Sequence, residues 1–267
     1  MTLNANNYYD VATDWPYQSK SWFWKFMQCE AEALAELKGE WEPNRKLTPL
    51  VMGNYLHSYF ESQEAHERFV QENVKEIFKY GNPEKGLKSE FKQAEKMINT
   101  LEHDENFKAL YQGDKEVPVT GELFGVKWKG KIDCLDLERG IFLDLKTVDD
   151  IHKKHWSDKQ KAYVSFAEDG GYDMQMAVYQ ELIEQTFGVR CQPFIIAVSK
   201  QDIPDKGIFS IPEYLLDKGL QEIDELQPHI QAVKDGTEKP VACGHCDYCR
   251  AAKQLDDIVP IDKIEFY

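Results

Sequence analysis

Two short apolar segments separated by a turn place the strongest restriction on how this chain folds. Lys131–Leu137 and Ile141–Lys146 are rich in Ile, Leu and Phe, and the residues between them, Glu138-Arg139-Gly140, are typical of a turn. This pattern predicts a hairpin of two antiparallel strands. We interpret the rest of the chain as support for this hairpin.

Two carboxylates and a lysine are expected to converge on the hairpin. Side chains two apart in a strand share a face, so Asp144 and Lys146 point the same way, and Asp133 lies opposite position 144 or 146. Two carboxylates can hold a hard divalent cation and leave room for a substrate and a water. The trio therefore favours metal-assisted cleavage of a phosphodiester. An exposed hairpin with scattered charges is the alternative.

Length and composition indicate one elaborated domain. The chain has 267 residues, of which 42% are hydrophobic, enough for a sizeable core. We divide it into a helical part (1–115), a sheet core (116–211) and a C-terminal helix with a cysteine cluster (212–267). No apolar run approaches the roughly 20 residues that span a bilayer, and the N-terminus has no apolar signal core. We therefore expect a soluble cytoplasmic protein, and the sequence leaves its oligomeric state open.

The distribution of charge is compatible with DNA as a partner. The net charge of -15 argues against a protein that coats nucleic acid non-specifically. Residues 121–165, however, hold nine Lys or Arg against eight Asp or Glu, whereas residues 213–267 hold six against twelve. The region around the hairpin is therefore nearly neutral on an otherwise acidic chain.

The N-terminal part is predicted to be helical. Apolar residues recur at three- and four-residue steps over Tyr17–Lys38, and a second helix begins at Thr48. Gly53, His57 and Glu61 are four residues apart in this second helix and line one stripe of it. His57 could therefore reach a metal site, although an ordinary histidine is the alternative.

Further candidate residues follow the hairpin or precede it. Gln175 and Tyr179 share one face of a predicted helix, Tyr172–Phe187, with polar tips that can reach a carboxylate or a phosphate. Residues 153–156, Lys-Lys-His-Trp, interleave positive charge with an aromatic ring, which suits a nucleic-acid strand or a solvated loop. Glu122 is a weak candidate for a further carboxylate ligand.

The remaining elements predict the fold class. Arg190–Val198 reads as a buried strand paired with Gly207–Ile211, and a helix should follow to about Lys234. The order of helices, three strands, a helix and further strands predicts an α/β fold with a mixed central β-sheet flanked by helices.

Three cysteines near the C-terminus have the spacing C-x2-C-x2-C: Cys243, Cys246 and Cys249. In a cytosolic chain this spacing favours metal ligands over disulfides, and both zinc and iron-sulfur clusters accept them. The fourth ligand could be Cys29, His245 or another residue. Cys134 and Cys191 lie in predicted strands and are expected in the core.

Taken together, these motifs resemble the PD-(D/E)xK nuclease superfamily, in particular its RecB-like and RecE/YqaJ-like exonuclease branch. The resemblance covers roughly residues 17–250 and rests on motifs in the family order: Gly-x3-His57-x3-Glu, Asp133, Asp144-Leu-Lys146 and Gln175-x3-Tyr179. It implies a restriction-endonuclease-like core with a helical N-terminal region. It also implies that the histidine and both aspartates bind Mg²⁺ or Mn²⁺, that the lysine acts on the attacking water, and that the Gln/Tyr helix supports the site.

The resemblance extends to the cysteines. In the iron-sulfur members of the superfamily, one cysteine before the fold joins three at its end around a [4Fe-4S] cluster, and the sequence that leads to Cys29 is similar to theirs. This chain lacks the proline that often follows that cysteine, and the gap between Cys246 and Cys249 is shorter than in those proteins. Zinc or a site without metal is therefore the alternative. A cluster would act as a clip between distant parts of the chain.

The resemblance implies a metal-dependent deoxyribonuclease, more specifically an exonuclease on DNA ends. Such proteins commonly serve phage-type recombination or repair beside a single-strand annealing protein. The alternative is a non-catalytic nucleic-acid-binding module that keeps the fold and a metal or iron-sulfur cluster. The complete Asp133, Asp144 and Lys146 set favours the enzyme.

Overall fold

A mixed β-sheet lies at the centre of the protein. The computed structural model describes residues 3, 7–44, 48–157, 160–254 and 258–263. Within these residues the strands are β1 (Asp114–Leu123), β2 (Val126–Asp136), β3 (Ile141–Val148), β4 (His155–Ser157), β5 (Ala162–Val164), β6 (Gln192–Ser199) and β7 (Lys206–Ser210). The sheet has the order β1-β2-β3-β6-β7, in which β3 and β6 are parallel and the other neighbours antiparallel. β4 and β5 form a separate hairpin.

Helices cover both faces of this sheet, which confirms the predicted fold class. They are α1 (Lys20–Gln28), α2 (Glu30–Leu37), α3 (Thr48–Glu61), α4 (Gln63–Glu72), α5 (Val74–Ile77), α6 (Ser89–Glu102), α7 (Glu105–Leu110), α8 (Phe166–Asp169), α9 (Tyr172–Phe187), α10 (Glu213–Lys234) and α11 (Asp247–Ala252). One apolar core joins a sheet face to α1, α2, α9 and α10, and a second joins the other face to α3, α6 and α7. In the described part of the chain, no helix combines the length and apolarity needed to cross a membrane.

The predicted hairpin is confirmed as β2 and β3. Gly140 has φ +63, which a tight turn requires and glycine adopts without strain, and the Asp136 carboxylate accepts the Arg139 N–H. The backbone ladder runs from Asp136 to Cys134, which pairs with Leu143. Beyond that pair the two strands begin to separate.

A second hairpin, formed by β1 and β2, determines which residue of β1 lies opposite Asp133. Its turn residues Phe124 and Gly125 both have positive φ (+49 and +76), the conformation of the tight two-residue turns that match strand twist. Because that turn sets the register of β1 against β2, Glu116 lies opposite Asp133, between the pairs that flank it. The N-terminal half of the sheet thus delivers an acidic residue to the end of β2.

The long helix predicted over Tyr17–Lys38 is wrong in one respect, because it is two helices. Cys29, between α1 and α2, has an extended backbone (φ -161, ψ 106). The apolar spacing continues across the break, so the sequence pattern does not reveal it. The break turns the Cys29 thiol toward the C-terminal cysteines. Positions 45–47, between α2 and α3, lie outside the described residues.

The segment after α10 is attached to the start of α2. The imidazole of His229 lies between the carboxylates of Glu30 and Glu238, 3.0 Å from the former. The Val241 N–H donates to Glu30 at 2.7 Å, and the Ala31 N–H donates to the Val241 carbonyl at 3.1 Å. These contacts fix the position of the chain immediately before Cys243, the first of the C-terminal cysteines.

The His229 contacts predict a pH-dependent contribution to stability. Hydrogen bonds that His229 donates to the carboxylates of Glu238 and Glu30 raise its pKa. The contribution is therefore fully present below the ordinary pKa of about 6.5 and is lost as the pH rises through the raised value. His229→Gln should lower the melting temperature near pH 6 by at most about 3 °C, since exposed ion pairs contribute roughly 0–1 kcal/mol. Thermal melts from pH 6 to 9 should show the two proteins converging, and a constant difference would contradict the assignment.

Candidate active site

Three side chains that can bind a metal ion meet where β2 and β3 separate. His57 comes from α3, Glu116 from β1 and Asp133 from β2, and one ligand atom of each lies within 4.8 Å of the others. His57 Nδ1 is 3.4 Å from Asp133 Oδ2. An imidazole and two carboxylates offer the nitrogen and oxygen donors of a divalent-metal site.

Glu116 is the member of this group that the sequence analysis did not identify. It has φ +52, in the left-handed region that non-glycine residues rarely adopt, and it forms an ion pair with Lys131. Backbone strain of this kind is concentrated at functional sites. Glu122, the carboxylate considered instead, is exposed near the turn and lies opposite Lys127. A turn at residues 124–125 sets the register of β1 against β2, and this register places Glu116 opposite Asp133.

Asp144 and Lys146 share one face of β3, whereas Leu143 and Leu145 face the opposite core. Asp144 is only 2% exposed, and its Oδ1 accepts a hydrogen bond of 2.9 Å from Gln175 Nε2. Its Oδ2 lies 2.5 Å from Lys146 Nζ but has no partner with hydrogen-bond geometry. This buried oxygen is therefore compensated by the charge of the Lys146 ammonium.

The two halves of the site are joined through Asp133. Its Oδ2 accepts the Leu145 N–H at 2.7 Å, so the carboxylate that faces His57 also bonds the backbone between Asp144 and Lys146. Burial raises the pKa of Asp133 to about 7; the nearby His57 lowers it and Asp144 raises it. The site therefore concentrates acidic groups in a place where their charge is poorly solvated.

Lys146 keeps its proton in this environment. Burial lowers the pKa of Lys146, but Asp144 and Asp133 outweigh that effect, so the pKa is raised overall. Its ammonium also lies 4.6 Å from the centre of the Tyr172 ring, a favourable cation–π distance. Lys146 is thus a fixed positive charge beside Asp144.

A second lysine reaches the same region, and sequence reasoning missed it. Lys20, the first residue of α1, donates to the Gly170 carbonyl and lies 4.7 Å from the Trp24 ring centre. Burial, and then Lys146, lower the pKa of Lys20 to about 7. The Ser19 side chain accepts the Trp22 N–H and starts the helix, which places Lys20 at its first position.

The two members of the predicted Gln/Tyr pair are equally buried but have different neighbours. Gln175 contacts Asp144 directly. Tyr179 lies one turn further along α9, is buried and packs its ring against Gly130. Burial raises the pKa of Tyr179 well above its ordinary value, so the phenol stays neutral. Tyr179 therefore packs in the core beneath the site.

The four cysteines at the ends of the fold come together. Cys29 joins the three C-terminal thiols, and all four sulfur atoms lie within 4.8 Å of one another. His245, the other candidate for the fourth ligand, has its Nδ1 2.9 Å from the Cys243 carbonyl oxygen. Cys134 and Cys191 are buried in the two cores, as predicted.

The separate hairpin of β4 and β5 carries two exposed aromatic side chains. Trp156 in β4 and Tyr163 in β5 are 51% and 67% exposed, with ring centres 5.3 Å apart in an edge-to-face contact. His155 Nδ1 lies 2.9 Å from Asp169 of α8 and ties the hairpin to the rest of the protein. Lys159, counted among the basic residues of this region, lies outside the described residues.

The crowded acidic groups predict that divalent cations stabilise the protein. Saturation with Mn²⁺ at 100 times the dissociation constant should add about 2.7 kcal/mol, which corresponds to roughly 5–10 °C in melting temperature. Glu116→Gln should reduce this shift, whereas Glu122→Gln, on the same strand, should leave it intact. A shift that is equal in all three proteins would mean that Mn²⁺ binds elsewhere.

Comparisons with known proteins agree with this architecture. The model of a family described as a PDDEXK-like domain of unknown function (DUF3799) matches residues 19–252. The crystal structure of a "Putative exonuclease" from Eubacterium rectale is 35% identical, with 98% of this chain and 97% of that chain covered and a TM-score of 0.89. The crystal structure of SSO0001 (14% identity, 86% and 92% covered) has a TM-score of 0.29, too low to support an argument. No curated protein matches the chain. The chain therefore belongs to the DUF3799 family of PDDEXK-like domains, and it has the α/β fold with a mixed, helix-flanked sheet that the resemblance implied.

Proposed function

We propose that the protein is a metal-dependent deoxyribonuclease that hydrolyses DNA phosphodiester bonds as an exonuclease. The observation that carries this proposal is the meeting of Asp133, Asp144 and Lys146 with His57 and Glu116 at the end of the β2–β3 ladder. Membership of a PDDEXK-like family supports a nuclease, and the similar protein named "Putative exonuclease" supports the exonuclease assignment.

The donor set fits a divalent cation. His57, Glu116 and Asp133 would hold it, and Asp144, whose Oδ2 is ion-paired with Lys146, offers a further carboxylate. When bound, the cation supplies Lewis-acid polarisation of a phosphoryl oxygen and lowers the pKa of a coordinated water. Carboxylates suit both Mg²⁺ and Mn²⁺, whereas an imidazole favours a transition metal, so we expect Mn²⁺ to bind more tightly than Mg²⁺.

The side chains around the cation have separate tasks. Lys146 remains protonated and offsets negative charge that grows on the phosphate, so it acts as an electrostatic group and orients the water. Gln175 holds Oδ1 of Asp144 and so fixes the direction of the other oxygen, and Tyr179, one helical turn further along α9, would support Gln175 by packing. Site residues supported in this way keep the geometry that catalysis needs.

The β4–β5 hairpin supplies a surface for a DNA strand. Trp156 and Tyr163 expose ring faces on which bases can stack, and Lys153, Lys154 and Lys161 are exposed close to them in the sequence. Because the protein as a whole is acidic, phosphate groups have to bind where basic residues are concentrated. This segment combines such positive charge with aromatic surface. It is the next element after β3, the strand that carries Lys146.

A non-catalytic nucleic-acid-binding module is the competing function. Such a module would need the aromatic and basic surface but not a buried lysine beside a buried carboxylate, which costs free energy to maintain. The complete set of charged groups therefore favours an enzyme. A role in phage-type recombination or repair beside a single-strand annealing protein rests on the family resemblance alone.

Cleavage of end-labelled DNA with Mn²⁺ or Mg²⁺ separates the two functions. Asp144→Ala and Lys146→Met should each lose at least about 10²-fold in rate, because they remove groups that stabilise charge in the transition state. Glu116→Gln should lose activity mainly at low metal concentration. Glu122→Gln is the matched control and should cleave as the wild type does. Equal cleavage by the wild type and Asp144→Ala would remove the catalytic assignment.

Exonuclease action predicts a dependence on DNA ends. Linear duplex or single-stranded DNA should be degraded, whereas covalently closed circles of the same sequence should survive. Agarose gels after matched incubations give the comparison. Nicking or linearisation of the circles that Asp144→Ala does not produce would show an endonuclease instead.

A further inference from the structure

The distances between the cysteine sulfurs limit what the cluster can hold. Sγ of Cys29 lies 3.6 Å from that of Cys249 and 3.7 Å from that of Cys246, and Sγ of Cys243 lies 3.9 Å from that of Cys249. All four sulfurs fall within 4.8 Å of one another. They therefore enclose a space of about one atom.

These distances match a single tetrahedral ion. Zinc bonds thiolate sulfur at about 2.3 Å, so the edges of a regular ZnS₄ tetrahedron are about 3.8 Å long. In a [4Fe-4S] cluster each cysteine binds a different iron at a corner of the cube, so the four sulfurs stand apart by more than the width of the inorganic core. Sulfurs in van der Waals contact leave no room for four irons and four sulfides.

We infer that Cys29, Cys243, Cys246 and Cys249 hold one zinc ion as a structural clip, in place of the [4Fe-4S] cluster that the family resemblance implies. The donor set is closed, with four protein ligands and no open position, which is typical of structural zinc and not of catalytic zinc. This inference does not depend on the proposed nuclease activity.

The backbone around the cysteines supports thiolates at short separation. The Cys246 N–H points to Sγ of Cys243 at 3.3 Å, the Cys249 N–H to Sγ of Cys246 at 3.4 Å, and the Cys243 N–H to Sγ of Cys29 at 3.5 Å. Donors aimed at sulfur favour its charged form. Gly244 has φ +81, which lets the loop between Cys243 and Cys246 turn tightly. Cys249 then follows in the first turn of α11.

The clip would connect the C-terminus with the candidate active site. Cys29 directly follows α1, and Lys20 at the other end of that helix lies beside the Tyr172 ring and Lys146. Nine helical residues span about 13 Å, so one short rigid element joins the two places. Zinc at Cys29 would hold the end of α1 and, through it, the position of Lys20.

Metal analysis of the native protein tests the inference. The full chain is purified without oxygen from cells supplied with excess iron and zinc, and its zinc, iron and acid-labile sulfide are measured. We expect one zinc per chain, no labile sulfide and no absorbance near 400 nm. About four irons with sulfide and a brown colour would overturn the inference, and so would a protein isolated without metal.

Co²⁺ substitution provides a second readout that is independent of activity. Co²⁺ added to the zinc-depleted full chain should give the intense visible spectrum of a tetrahedral thiolate complex, and added Zn²⁺ should abolish it. Cys29→Ser and Cys249→Ser should lose that spectrum. Cys191→Ala, which removes a buried thiol from the apolar core that includes α9 and α10, should retain it. A spectrum that survives in Cys29→Ser would exclude Cys29 as a ligand.

Melting of the wild-type chain tests the inference even if the cysteine variants fail to fold. The wild-type chain can be melted before and after zinc depletion and again after zinc is restored, which requires no substitution. We expect a reversible fall of at least about 5 °C, because a structural zinc contributes directly to the free energy of folding. An unchanged melting temperature would contradict the role of a clip.

Discussion

The hydrogen bond from the Leu145 N–H to the Asp133 carboxylate is the contact on which the rest of the site depends. The backbone ladder between β2 and β3 ends at Cys134. Asp133, which precedes Cys134 in β2, holds the strands together through its side chain. Asp133 thereby connects the histidine and glutamate on one side with Asp144 and Lys146 on the other. Buried acids destabilise a fold unless a positive charge lies near them, and here Lys146 and a bound cation would provide it.

Local periodicity was sufficient to predict most of the fold. The β2–β3 hairpin, α9 and the buried strand β6 each carry a regular apolar pattern, and the sheet that they form has the predicted class. The same rules placed Asp144 and Lys146 on one face of β3 and His57 on the inner stripe of α3. Glu116 was missed because its partner across the hairpin depends on a turn at Phe124-Gly125 that the sequence analysis did not assign. A register is a non-local property, and one turn decides it.

The break at Cys29 could not have been predicted from neighbouring residues. Cys29 at the break contacts Cys243, 214 positions later in the chain, and tertiary contacts of this kind override helix propensity. The choice between zinc and an iron-sulfur cluster at the cysteines likewise depends on distant residues. The C-x2-C-x2-C spacing is compatible with zinc and with iron-sulfur clusters, and only the distances between sulfurs from both ends of the chain favour zinc. Lys20 likewise becomes part of the site through packing.

The central claim is that one divalent cation binds where Asp133 joins the two strands. Crystals soaked in Mn²⁺ and measured at the manganese absorption edge test this most directly, because the anomalous signal locates the ion without reference to activity. We predict a peak within bonding distance of His57, Glu116 and Asp133, on the side facing Asp144. A peak elsewhere, or none at saturating Mn²⁺, would contradict it.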